Sequence, residues 1–100
     1  MGNLSKTKDL LRELVAFPTV SSSSNLALID FAATHLETCG AKVDVISAPC
    51  GTKANLFATL GPEIDGGILL SGHSDVVPVA DQDWQSDPFE MDERGGRLYG

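Results

Sequence analysis

Basic residues are scarce in this sequence. Its 100 residues include 7 lysines and arginines against 14 aspartates and glutamates, so the formal net charge is −7. Proteins that bind the nucleic-acid backbone need clustered lysine and arginine to neutralise phosphates. The charge therefore argues against a nucleic-acid-binding function.

Cysteine and long apolar segments are also scarce. No apolar run approaches the ~20 residues of a membrane-spanning helix, and the first residues lack the basic region and apolar core of a secretory signal. Cys39 and Cys50 lack zinc-finger spacing, and we expect free thiols that act as small packing residues rather than nucleophiles. These absences favour a soluble cytoplasmic protein that does not interact with membranes.

Two amphipathic helices are predicted before residue 41. The first is expected to end before Pro18, and its apolar stripe comprises Leu10, Leu11, Leu14, Val15 and Phe17. The second is expected to end at Gly40, which suits a left-handed position, and its apolar face comprises Leu26, Ile29, Ala32, Ala33 and Leu36. The candidate caps are Ser5 or Thr7 for the first helix and Ser23 or Ser24 for the second.

Three strands are predicted after these helices, near residues 42–47, 54–60 and 67–72. The first two alternate in polarity and are joined by a turn with Pro49 and Gly51. The third is a continuous apolar run, which is typical of a strand that is buried on both faces. Gly95-Gly96 favours a final hairpin. The order predicts an α/β fold in which both helices pack on a mixed sheet.

The segment LLSGHSDVVPV, residues 69–79, carries the most specific chemistry. Because residues i and i+2 of an extended segment point the same way, His73 and Asp75 are predicted to face one cavity. A neutral imidazole binds zinc through one nitrogen, and a carboxylate on the other nitrogen fixes its tautomer. We predict a contact within about 3.2 Å. The same residues also fit a histidine at a strand end followed by an aspartate in a turn.

Other polar residues have simpler interpretations. His35 is interpreted as a solvated helix residue, and Ser21 to Ser24 lack the Gly-x-Ser-x-Gly pattern of a nucleophile. Three loop aspartates resemble a metal cluster but fit a solvated loop better: Asp81, Asp83 and Asp87. Trp84 and Phe89 fit either the wall of a substrate cavity or a pin that holds this loop to the body.

Residues 67–100 resemble the metal-binding segment of the co-catalytic zinc aminoacylase and carboxypeptidase family. The resemblance rests on Gly-His-Ser-Asp-Val-Val-Pro, Trp84, Pro88-Phe89 and the closing Leu-Tyr-Gly, which occur in the family's order and spacing. The segment VVPVADQDWQSDPF looks most like the acetylornithine deacetylase branch, with desuccinylases and other metallopeptidases of the family as alternatives.

The resemblance implies a site and a reaction. His73 would ligate one of two zinc ions, with cobalt as an alternative metal, and Asp75 would be the catalytic residue that orients His73. The reaction would be hydrolysis of N2-acetyl-L-ornithine to ornithine and acetate, a step of arginine biosynthesis, in a homodimeric enzyme with a small-molecule N-acyl amino acid substrate. The residues that select the substrate are unknown from this sequence.

The resemblance also implies that part of the site is missing. The bridging aspartate, the paired glutamates, the later acidic ligand and the distal histidine of the family have no counterpart here, nor has the lid and dimerisation domain. We therefore expect residues 1–100 to be the N-terminal part of a catalytic domain of a longer enzyme. Alone, the chain is expected to be inactive, and a non-catalytic α/β role for it is the alternative.

Overall fold

The computed structural model describes residues 2–100 of the chain, which form two helices and two small sheets. The sheets are both antiparallel and two-stranded, so the predicted mixed sheet is wrong for the described residues, although the α/β class is confirmed. The elements are α1 (Gly2–Val15), α2 (Leu26–Thr38), β1 (Lys42–Ser47), β2 (Ala54–Thr59), β3 (Asp92–Arg94) and β4 (Arg97–Tyr99).

Helix α1 begins earlier than the sequence suggested. Ser5 and Thr7 lie inside it, so neither is the predicted cap. The hydroxyl of Thr7 instead donates a hydrogen bond to the carbonyl of Asn3, 2.8 Å away, which is the usual partner for a threonine within a helix. The helix ends at Val15, before Pro18, as predicted.

Helix α2 is bounded by two specific backbone arrangements. Its N-cap residue is Asn25, not Ser23 or Ser24, although the hydroxyl of Ser24 accepts a hydrogen bond from the Leu26 N–H. At the other end Gly40 has φ +88°, which confirms its predicted left-handed conformation. The Gly40 N–H bonds to the Glu37 carbonyl and the Ala41 N–H to the Leu36 carbonyl. This pair of bonds is the Schellman motif, which satisfies the last carbonyls of the helix.

Strands β1 and β2 form the predicted hairpin, and α2 packs against both of them. The side chains of β2 that alternate on its less exposed face are Ala54, Leu56 and Ala58. Ala54 is buried, together with Ile29 and Ala33 of α2. A two-stranded hairpin is marginal by itself, so this contact with the helix is what supports it.

Helix α1 does not cover the β1–β2 sheet, so the prediction that both helices pack on one sheet is wrong. The helix lies beside the C-terminal part of the chain instead. Lys8 Nζ is 2.6 Å from Glu93 Oε1 of β3. Gly100 lies so close to Val15 that a Cβ added to the glycine would be 2.9 Å from the valine side chain. Phe17, just after α1, packs on Phe31 of α2 with ring centroids 5.5 Å apart.

Residues 67–72 do not form the predicted buried strand. Ile68 and Leu70 are 92% and 88% exposed, and no other described segment pairs with this stretch. An apolar run becomes a central strand only when neighbouring strands accept its backbone hydrogen bonds and other layers cover its faces. Residues 2–100 supply neither to this stretch.

The predicted final hairpin is present. β3 and β4 are joined by the two-residue turn Gly95-Gly96. Both glycines have positive φ, +55° and +75°, as the turns that fit the twist of a two-residue hairpin require. Met91, immediately before β3, is one of the few buried apolar residues.

The Asn25 side chain ties the start of α2 to the start of β2. Its amide nitrogen donates to the Ala54 carbonyl and its amide oxygen accepts from the Ala54 N–H, both at 2.9 Å. The side chain thus pairs with one residue of β2 as an adjoining strand would. This contact is partly buried, so its loss leaves backbone groups with poor access to water.

We expect Asn25→Ala to lower the free energy of unfolding by roughly 1–3 kcal/mol, because two backbone groups of Ala54 lose their partners. Asn25→Asp is the matched variant, since it keeps the acceptor for the N–H but faces the carbonyl with a second oxygen. Urea unfolding followed by circular dichroism measures both. An Asn25→Ala protein as stable as the parent would show that water replaces the side chain without cost.

Candidate active site

Residues 74–76 are held in place by the loop that follows α1. Val20 and Val76 form a parallel β-bridge. The Ser21 N–H donates to the Val76 carbonyl at 3.0 Å, and the Val76 N–H donates to the Thr19 carbonyl at 2.9 Å. The hydroxyl of Thr19, a residue only 5% exposed, donates to the Ser74 carbonyl. This loop, rather than the end of a buried strand, therefore positions the segment that carries His73 and Asp75.

His73 and Asp75 are in contact, at the distance that the sequence predicted. His73 Nδ1 lies 2.9 Å from Asp75 Oδ1 and 3.0 Å from the carbonyl oxygen of Asp75. Both partners are acceptors when Asp75 is ionised, so the geometry favours a proton on Nδ1. In the neutral imidazole, Nε2 then carries the free lone pair.

The second oxygen of Asp75 is also occupied. Ser21 Oγ donates to Asp75 Oδ2 at 3.0 Å. This hydrogen bond, followed by the one from His73, holds the pKa of Asp75 below its ordinary value, because hydrogen bonds to the charged form favour it. Asp75 is therefore a carboxylate at neutral pH, and each of its oxygens has a partner on the protein.

The pair lies at the side of an open groove. The groove is lined by residues of α2, by β2 and the residues beside it, and by the segment 72–75, and its polar residues include Ser21, Asn25, Lys53, His73 and Asp75. The side chains of His73 and Asp75 are 82% and 59% exposed. Within residues 2–100, the His73 side chain is therefore accessible to a small molecule or ion.

The donor set can be compared with what zinc requires. The free Nε2 of a tautomer held through Nδ1 is the donor that zinc takes from histidine, and a carboxylate on Nδ1 is the usual support for it. Within residues 2–100, no group of three histidine, cysteine, aspartate or glutamate side chains is placed to hold a metal ion. The geometry of His73 fits the role of one zinc ligand, and catalytic zinc normally takes three from the protein.

The remaining candidate residues take no part in the contact between His73 and Asp75. His35 is exposed on α2 with Nε2 4.0 Å from Cys39 Sγ, outside a metal-binding group. Asp81 and Asp83 are exposed in the loop, as predicted, and Asp87 accepts a hydrogen bond from the Phe89 N–H. Trp84 donates to Gln82 within the same loop. Phe89 lies with residues of α1 around a second groove that His73 also borders.

The cysteines differ from the expectation of small packing residues. Cys39 and Cys50 are free, as predicted, but both are exposed and so do not pack in the core. Thr52 lowers the pKa of Cys50 below its ordinary value, first through its hydroxyl 3.3 Å from the sulfur and then through its backbone.

Among the described residues, no helix has the length and apolar character needed to cross a membrane.

Two contributors to the site were not predicted from the sequence. Ser21 binds Asp75, and Lys53 Nζ donates to the Ser21 carbonyl at 2.8 Å. Ser21 lies 54 residues from Asp75 in the chain, so no local spacing connects them. The signal that the sequence offers is the run of serines after Pro18, but its hydroxyls have no spacing that links them to Asp75.

Acetylornithine deacetylases of several bacteria match this chain. The protein of Proteus mirabilis is 42% identical over 99 aligned residues, which cover 92% of this chain and 25% of the relative. That of Pasteurella multocida is 43% identical over 94 residues, covering 87% and 24%, and that of Photorhabdus laumondii is 39% identical over 99 residues, covering 92% and 26%. No family model and no solved structure matches. The chain is thus similar to these acetylornithine deacetylases along most of its own length but spans about a quarter of theirs.

Proposed function

We propose that this chain is the N-terminal part of the catalytic domain of a zinc-dependent deacetylase with a zinc-peptidase-like fold. The substrate is N2-acetyl-L-ornithine, and the products are ornithine and acetate. The names of the homologous proteins support this reaction. The observation that carries the proposal is the 2.9 Å contact from His73 Nδ1 to Asp75 Oδ1, which leaves Nε2 as the free nitrogen of an exposed imidazole.

The described residues would contribute one metal ligand to this reaction, together with the carboxylate that orients it. His73 would hold zinc through Nε2, and Asp75 would keep the proton on Nδ1 and the ring in one orientation. When bound, zinc in such sites lowers the pKa of a water and polarises the amide carbonyl. The other metal ligands would come from outside residues 2–100, because no group of three histidine, cysteine, aspartate or glutamate side chains there is placed to hold a metal ion. The general base would also come from outside them.

The test is an assay of the full-length protein that carries this chain. With zinc or cobalt supplied, we expect release of ornithine from N2-acetyl-L-ornithine and much slower hydrolysis of N-succinyl-diaminopimelate. Preference for the succinylated substrate would replace the deacetylase with a desuccinylase. Hydrolysis of neither substrate, in a protein that is folded and binds zinc, would contradict the proposal.

Residues 1–100 expressed alone are expected to release no ornithine. A catalytic zinc site normally uses three protein ligands, whereas the described residues offer one imidazole at this site, that of His73. The missing general base alone costs roughly 10²–10⁴-fold. The same assay on the separate chain, with equal molar amounts of the full-length protein beside it, measures the difference. Turnover by the separate chain that disappears in His73→Ala would show that the site is complete without further residues.

A further inference from the structure

The contact between Ser21 and Asp75 extends the site beyond the histidine and carboxylate pair. Asp75 Oδ1 faces the imidazole of His73, and Asp75 Oδ2 accepts from the hydroxyl of Ser21 at 3.0 Å. The three side chains therefore form a continuous hydrogen-bonded line, from Ser21 to Asp75 and from Asp75 to His73. The free nitrogen of the imidazole lies at the end of this line.

The hydroxyl of Ser21 has two acceptors within reach and one hydrogen to donate. The carbonyl of Val76 is 3.3 Å away, against 3.0 Å for Asp75 Oδ2. Hydrogen bonds to an ionised acceptor are roughly twice as strong as those between neutral groups. Distance and charge both favour the carboxylate, so the Ser21 hydroxyl donates its hydrogen bond to Asp75.

The backbone of Ser21 is fixed without its hydroxyl. Its N–H donates to the Val76 carbonyl at 3.0 Å, and its carbonyl accepts from Lys53 Nζ at 2.8 Å. Ser21 is thus held on both sides by its main chain. Removing the hydroxyl is expected to release the carboxylate of Asp75 while the loop keeps its place.

Asp75 needs such an anchor because it is exposed. Its side chain is 59% accessible, and the terminal torsion of an aspartate has broad minima. One hydrogen bond on Oδ1 leaves the carboxylate plane free to rock about that contact. A second bond on Oδ2 fixes the plane, and with it the direction of the imidazole.

We propose that Ser21 is a positioning residue that orients the carboxylate of Asp75 and, through it, the metal-binding nitrogen of His73. This inference rests on the proposed role of His73 as a zinc ligand. It assigns no nucleophilic function to Ser21, because the hydroxyl donates to a carboxylate that is already bound to the only nearby imidazole within residues 2–100.

The decisive comparison uses Ser21→Thr and Ser21→Val in the full-length protein. The two variants have nearly the same shape, and only the threonine retains a hydroxyl. Zinc affinity, measured by competition with a chromophoric chelator, is expected to stay close to the parent value in Ser21→Thr. In Ser21→Val it is expected to fall about 10-fold, the lower end of the range for partners outside the metal's own ligands.

Ser22→Ala is the matched control, since Ser22 is an exposed neighbour in the same serine run, and it is expected to bind zinc as the parent does. Melting temperatures of all variants separate a positioning role from a structural one. Equal zinc affinity in Ser21→Thr and Ser21→Val would overturn the inference, whatever their melting temperatures. The affinity comparison decides the role of Ser21 even if the parent does not hydrolyse N2-acetyl-L-ornithine, and a parent that binds no zinc contradicts both proposals.

Discussion

Replacing His73 with alanine in the full-length protein is expected to lower kcat/KM for N2-acetyl-L-ornithine by more than about 100-fold. The loss should exceed the 10–100-fold typical of a partner that only supports a metal ligand. The reason is that the variant would remove the proposed zinc ligand itself, and no group of three ligating side chains within residues 2–100 is placed to hold the metal without it. Ornithine release and zinc content, measured on the same preparation, should fall together.

His35→Ala is the control for this experiment. His35 is the other histidine of the chain. It is exposed on α2 and does not line the groove. Alanine is a good helix former, so the variant should fold, bind zinc and hydrolyse substrate like the parent. A His73→Ala protein with full activity and full zinc content would remove His73 from the metal site.

Asp75→Asn is expected to weaken zinc binding by roughly 10–100-fold, as loss of a carboxylate beside a metal-ligating histidine generally does. Asparagine has almost the same shape as aspartate, but an amide nitrogen, which donates hydrogen bonds, replaces one carboxylate oxygen. When that amide faces Nδ1 of His73, it favours the tautomer with the proton on Nε2. In this tautomer, Nε2 has no free lone pair for a metal. The Ser21 hydroxyl also loses an ionised acceptor.

Asp83→Asn is the control for Asp75→Asn. It makes the same change of charge at an exposed loop residue, so it reports any general effect of charge on zinc uptake. Chelator competition gives the affinity of both variants and of the parent. Identical weakening in the two variants would mean that Asp75 acts through overall charge and not through its contact with His73.

Local chemistry was sufficient to predict several parts of the fold. Gly40 ends α2 in the left-handed conformation because only the residues just before it are needed to form the Schellman bonds. Gly95-Gly96 makes its hairpin for the same reason, since both positive φ values are decided within the turn. The spacing of His73 and Asp75 likewise fixed their contact, because two residues of an extended segment share a face.

The failures concern partners that are distant in the chain. The apolar run at 67–72 suggested a buried strand, but the described residues provide no strand beside it and leave it exposed. Asn25 was not among the predicted caps of α2, and its side chain bonds to Ala54, 29 residues away. Ser21 and Asp75 are joined across 54 residues. Periodicity and turn chemistry carry no information on such pairings, which depend on how the elements pack.

The central claim is that His73 binds zinc through Nε2 while Asp75 holds Nδ1. The most direct test is a crystal structure of the full-length protein grown with zinc, with anomalous diffraction at the zinc edge to locate the metal. The account predicts zinc about 2.0–2.1 Å from His73 Nε2, the usual zinc–nitrogen distance, with Asp75 Oδ1 still on Nδ1. Zinc bound elsewhere, with no anomalous peak beside His73, would contradict it.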